Sequence, residues 1–182
     1  RVLFRSVATG ALNYVAKHPS NILNWMINGE TGEAVEHDLD GATLTLEDSW
    51  TVSSFDDLTA IGKLFQNFSR EGDEDLEGEW LILSPDEDPA ILYCYDNEAT
   101  TIQLSDLREA LEEDENMTVE SIEFHGIPAV EGTAQNPEKE DIIDYKQICF
   151  IANDKCYELV VYHGKDDAAE RIAQKILDGL SF

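Results

Sequence analysis

Positive charge is scarce in this chain: 12 Lys and Arg stand against 39 Asp and Glu over 182 residues, a formal net charge of −27. The imbalance is also uneven. Residues 1–29 hold three basic and no acidic side chains, while residues 30–182 hold nine basic and all 39 acidic ones, so a tail of +3 precedes a body of −30. Such a body repels nucleic-acid phosphates and anionic headgroups over roughly a Debye length, ~8 Å at physiological salt, which excludes direct binding of DNA, RNA or a membrane surface by it. Long apolar runs are missing as well: no stretch reaches the ~18 residues of a membrane-spanning helix.

Cysteine is rare. Cys94, Cys149 and Cys156 cannot all pair within one chain, and each lies in an apolar run that reads as a strand. Buried, reduced thiols are predicted, with a Cys149–Cys156 bridge as the alternative. Unpaired thiols lean towards the cytoplasm. A first residue that is Arg1 rather than Met points to a removed signal peptide or upstream domain, and an extracytoplasmic chain is the alternative.

The motifs of catalysis are also missing. There is no Gly-x-Ser-x-Gly elbow, no phosphate-cradling glycine loop and no dinucleotide fingerprint, and His18, His37, His125 and His163 show no metal-type spacing. No catalytic residue and no cofactor is predicted. The acidic clusters could in principle hold a hard divalent cation, with Asp73, Asp75, Glu77 and Glu79 the first place to look, but none has the register of an EF-hand loop. A solvated acidic face is the favoured reading.

What is present is a well-patterned globular sequence, and its length suffices for one full core. Val2, Leu3, Val7, Leu12 and Val15, then Ile22, Leu23, Trp25, Met26 and Ile27, predict two short helices broken at Pro19 and stopped by Gly29. A polar run from Glu30 to Asp40 reads as a linker, which gives a helical extension and linker over 1–40 and a domain over 41–182. In that domain, strands are predicted at Ala42–Leu46, Ser49–Ser54, Glu79–Leu83, Ala90–Tyr95, Thr118–Phe124, Ile127–Gly132, Ile142–Ala152 and Cys156–Tyr162. Helices are predicted around Leu58–Phe68, Leu104–Leu111 and Ala169–Leu180. The Asn153–Asp154–Lys155 turn is read as setting Ala152 opposite Cys156, which places Cys149 on the other face from Cys156. Strands in pairs with helices inserted between them predict an α+β layered domain, an antiparallel sheet covered by helices.

This order of elements resembles the PsbP-like fold over roughly residues 41–182. The segments that carry the resemblance are HGIPAVEGT at 125–133, ICFIANDKCYELVVY at 148–162 and the final amphipathic helix ending in ILDGLSF at 176–182. That family includes extrinsic photosystem proteins, a Ran-binding nuclear import factor and bacterial periplasmic proteins and lipoproteins. The resemblance implies a layered α/β/α sandwich that serves as a scaffold for binding other macromolecules, without a shared catalytic site. This sequence departs from the photosystem members in having no basic docking surface and no recognisable manganese or calcium ligand set.

The function expected is therefore a non-enzymatic binding or scaffold module whose partner is a protein. Phe4, Tyr14, Trp25, Met26 and Ile27, in a segment without a single acid, are the candidate docking residues, unless they pack on the domain itself. Two other readings remain: an acidic mimic of nucleic acid that occupies or neutralises a basic protein, and a metal-dependent hydrolase with an unrecognised site.

Overall fold

The computed structural model describes residues 32–39, 41–55, 75–85, 89–97, 101–135, 143–162 and 166–182. The helices predicted over 1–29 and around Leu58–Phe68 lie outside these residues, as do Phe4, Tyr14, Trp25, Met26, Ile27 and Asp73. Ten strands and two helices follow in the order β1 (Ala34–Asp38), β2 (Thr43–Glu47), β3 (Thr51–Ser54), β4 (Leu76–Leu83), β5 (Pro89–Asp96), α1 (Leu104–Glu112), β6 (Met117–Phe124), β7 (Ile127–Gln135), β8 (Ile143–Ala152), β9 (Lys155–Tyr162), α2 (Asp166–Gly179) and β10 (Leu180–Ser181).

Seven strands form one antiparallel sheet in the order β3-β4-β5-β9-β8-β7-β6, and β1-β2-β10 form a second, smaller one. Side chains alternate across the large sheet, so its two faces carry two separate cores. On the first face Leu92, Ile148, Phe150, Tyr157, Leu159 and Val161 pack against Ala169, Ile172, Ala173, Ile176 and Leu177 of α2 and against Leu44 and Leu46 of β2. On the second, Ile91, Tyr93, Val130, Cys149 and Val160 share a cluster with Leu107 and Leu111 of α1. The result is an antiparallel sheet between helical layers, the α+β sandwich expected.

The helix α2 binds by its stripe. Burying Ile172, Ile176 and Leu177 contributes about 1.5–3 kcal/mol each relative to exposure. A polar pin adds direction: Lys146 of β8, nearly buried, donates to Glu131 of β7 at 2.6 Å and to Glu170 of α2 at 2.5 Å. Burial alone would push the Lys146 ammonium down, but these two carboxylates outweigh it and hold its pKa above the ordinary value. At the far end α2 has no basic residue in its last turn, and His125 from the β6–β7 turn places Nε2 3.3 Å from the Asp178 carbonyl. An N–H there satisfies one of the orphan carbonyls at the helix end.

Four sequence expectations are corrected. The polar run Glu30–Asp40 contains a strand, β1, because its backbone pairs with β2 although all its side chains but the half-buried His37 are exposed. Leu180 leaves the helix and pairs with Leu44 in β10. The neighbouring strands at 43–47 and 51–54 belong to different sheets. Finally, Asn153 and Asp154 both take positive φ, 49° and 60°, in a two-residue turn that sets Ala152 opposite Lys155 and Ile151 opposite Cys156. That one-residue slip moves Cys149 to the same face as Cys156, in the second core. All three cysteines are buried thiols outside any disulfide, so the bridge does not form.

Candidate interaction surface

Three places could carry chemistry: the buried polar row of the second face, the carboxylates of β4, and the corner built by α1 and β6. The row runs across the central strands. Glu79 of β4 lies opposite Tyr93 of β5, Tyr93 opposite Glu158 of β9, and Glu158 opposite Cys149 of β8. Gln147 Nε2 donates to Glu158 Oε1 at 2.9 Å, and Glu158 is only 1% exposed. A buried carboxyl with a fixed amide partner specifies the packing of a core. The Cys156 thiol beside it is quiet: burial, with smaller contributions from Glu158 and Cys94, pushes it up to about 12.

A thiol that stays protonated is a poor nucleophile and a poor metal ligand. Ellman's reagent at pH 8 is therefore expected to find no fast-reacting thiol in the folded protein and three after denaturation. A rapid native equivalent would show that one of these cysteines is open to solvent.

The carboxylates of β4 diverge. A register shift between Leu76 and Gly78 separates them: Glu79 is buried opposite Tyr93, while Glu77 accepts from Lys155 Nζ at 2.8 Å, and Asp75 is exposed. Among the described residues no group of three or more His, Cys, Asp or Glu has the geometry of a metal site. His37 and His125 stand in β1 and in the β6–β7 turn, away from the buried thiols.

The α1–β6 corner gathers exposed charge. Gln103 caps α1, its N–H donating to Asp106 Oδ2 at 2.8 Å, and Leu107 and Leu111 turn inward. At Gly132 of β7 a Cβ would lie 2.3 Å from Met117 Sδ and 3.4 Å from Leu111 Cδ1, so the absent side chain is what lets Met117 and Leu111 close over the sheet. A tight turn then leads into β6, with Met117 N–H donating to the Asp114 carbonyl at 3.0 Å and Asn116 N–H to Asp114 Oδ1 at 3.0 Å. The outer surface so formed carries Asp106, Glu109, Glu112, Glu113, Glu115, Glu120 and Glu123, all exposed. Among the described residues its one cation, Arg108, is already engaged: Nη1 donates to Glu112 at 3.0 Å and Nη2 to Ser121 Oγ at 2.6 Å.

That β6 would be an edge was not legible in its own residues, because edge status depends on which strands pair elsewhere. The acids were legible, since the sequence crowds them at 106–123. None of the described helices is long and apolar enough to cross a membrane.

No family model and no curated protein matches the sequence. Among solved structures the chain is similar to the solution structure of cyanobacterial PsbP (CyanoP) from Synechocystis sp. PCC 6803, with a TM-score of 0.50 and 6% identity over 85% of this chain and 96% of that one. The shared feature is the arrangement of strands and helices rather than any site residue. With the order of elements and the two-faced antiparallel sheet already on the page, this similarity shows that the chain has the PsbP-like fold.

Proposed function

We propose that this chain is a non-enzymatic module that binds a protein with a basic surface, and that the α1–β6 corner is where it does so. One observation carries the reading: seven exposed acids stand on α1, the turn after it and β6, which ends the sheet among the described residues, and the arginine beside them is held by Glu112 and Ser121. Such a surface speeds encounter with a basic partner and rejects acidic ones. Phe4, Tyr14, Trp25, Met26 and Ile27 are proposed as a second, apolar contact, for which the acid-free segment 1–29 is the motive. Two features weigh against the hydrolase alternative: the burial of Cys156, which pushes its thiol up to about 12, and the divergent carboxylates of β4. A nucleic-acid mimic is the special case in which the basic partner is itself a nucleic-acid-binding protein.

The test immobilises the full chain and a Glu109→Gln, Glu113→Gln, Glu115→Gln variant, which leaves the Arg108 contacts in place. Wild type is expected to retain basic proteins at low salt and release them as ionic strength rises, as screening requires, and the variant to retain less. Equal retention by both would remove the corner from the binding reading.

A further inference from the structure

The acids of this corner are attached to an unusual piece of backbone. Strand β6 ends the large sheet, and among the described residues no strand pairs with its outer side. It pairs with β7 without interruption from Met117 opposite Ala134 to Phe124 opposite Ile127, with no bulge. It contains no proline and no lysine. The other end of the sheet, β3, spans only four residues against eight here. A long regular edge presents alternate N–H and C=O groups to solvent, a template for one more strand.

The side chains say which strand. Thr118, Glu120, Ser121 and Glu123 are exposed, while Val119 and Ile122 are half-buried and offer apolar ground between the charges. A second copy of β6 fits poorly: in the centred antiparallel register, with Ser121 opposite Ile122, each Glu120 would face a Glu123, and like charges directly opposite repel. A basic strand reverses the sign at both positions. Glu120 and Glu123 lie on opposite faces of the sheet. An antiparallel partner must therefore carry its basic residues three apart, with an apolar residue after each, facing Ile122 and Val119.

From this geometry we infer that β6 takes up an extended segment of the basic partner as an added antiparallel strand, recognising the pattern basic–apolar–any–basic–apolar. This rests on the protein-binding reading above and gives it a mode and a motif. The backbone supplies affinity, Glu120 and Glu123 supply register, and the same two acids keep copies of the chain apart.

The experiment titrates the full chain, followed by amide NMR, with the peptide acetyl-Thr-Lys-Val-Thr-Lys-Val-Thr-amide. It also uses a scrambled peptide of equal charge and two peptides carrying a single backbone N-methyl group on one or the other of two adjacent central residues. The matched peptide is expected to shift the amides of 117–124 and to bind about ten-fold more tightly than the scrambled one. One N-methyl peptide should lose binding and its neighbour keep it, because only alternate N–H groups point at the edge. A Glu120→Lys, Glu123→Lys variant should lose the peptide and accept the version with Glu in place of both Lys.

Equal binding of the two methylated peptides, or shifts confined to α1, would overturn strand addition and leave the acidic-surface reading standing. A dimer that shows protected β6 amides without peptide would overturn the choice of occupant. Failure of the wild-type chain to retain basic proteins, with the peptide pattern intact, would instead count against the basic-partner reading.

Discussion

Phe150→Ala is expected to destabilise the protein by about 3–5 kcal/mol, the range for emptying a fully buried aromatic site. Phe150 is at the centre of the first core: its ring stacks on Tyr157 at 5.1 Å and 13°, meets Phe124 edge-on at 4.9 Å and is capped by Phe182 at 5.7 Å. Tyr157 and Phe150 are both 0% exposed, so neither can relax outward into the space left behind. Among the described residues the buried Tyr157 hydroxyl has no oxygen or nitrogen partner, and burial, with the nearby Cys94 thiol, raises its pKa. That ring is therefore held by packing, which makes it sensitive to the loss of its stacking neighbour. Phe150→Leu, which keeps most of the volume, should cost about 1–2 kcal/mol. Urea unfolding of the two variants checks the order. A Phe150→Ala loss below about 1 kcal/mol would mean that the site collapses and the stack is not the keystone of this core.

Gly179→Ala is the second large effect, expected at about 2–3 kcal/mol and a fall in melting temperature of roughly 4–12 °C. Gly179 closes α2 where the chain turns into β10, and a Cβ there would sit 2.3 Å from the Thr45 carbonyl oxygen and 3.2 Å from Leu44 Cδ1. The obstacle is backbone of β2, so relief requires moving a strand. Gly132→Ala is the control: its Cβ would also meet an atom at 2.3 Å, but that atom is the thioether of Met117, which can swing aside. Thermal unfolding should show Gly179→Ala losing clearly more than Gly132→Ala. The reverse order would mean that β2 and α2 are not packed this closely.

Much of the architecture could be read from the residues, and the failures have physical reasons. The pair β6–β7 announced itself by alternation around His125–Gly126, both of which take positive φ, 50° and 79°. Strand β1 was hidden because a strand with four of its five side chains in water shows no apolar alternation, and β10 because Leu180 continues the spacing of the α2 stripe. The β8–β9 register slipped by one since Asn153–Asp154 and Asn153–Asp154–Lys155 differ only in whether Lys155 joins the turn or the ladder, and that single step exchanged the faces of the cysteines. The layered fold was accessible through the resemblance of whole segments. The corner was half accessible, its charge from composition and its open edge only from the pairing of distant strands.

The joint between β5 and β9 has a consequence for how the chain reaches this state. It pairs Asp96 with Lys155 and Ala90 with Val161, whereas β6–β7 and β8–β9 join neighbours across tight turns. The sheet thus consists of two halves, β3–β4–β5 and β6–β7–β8–β9, sewn together by one seam between residues roughly 60–70 positions apart. The loop entropy lost in closing that seam must be met before any of its hydrogen bonds form. Acquisition of the native sheet should therefore be governed by a late encounter of two preassembled halves, and a cut or insertion in the chain between them would slow folding far more than it weakens the finished protein.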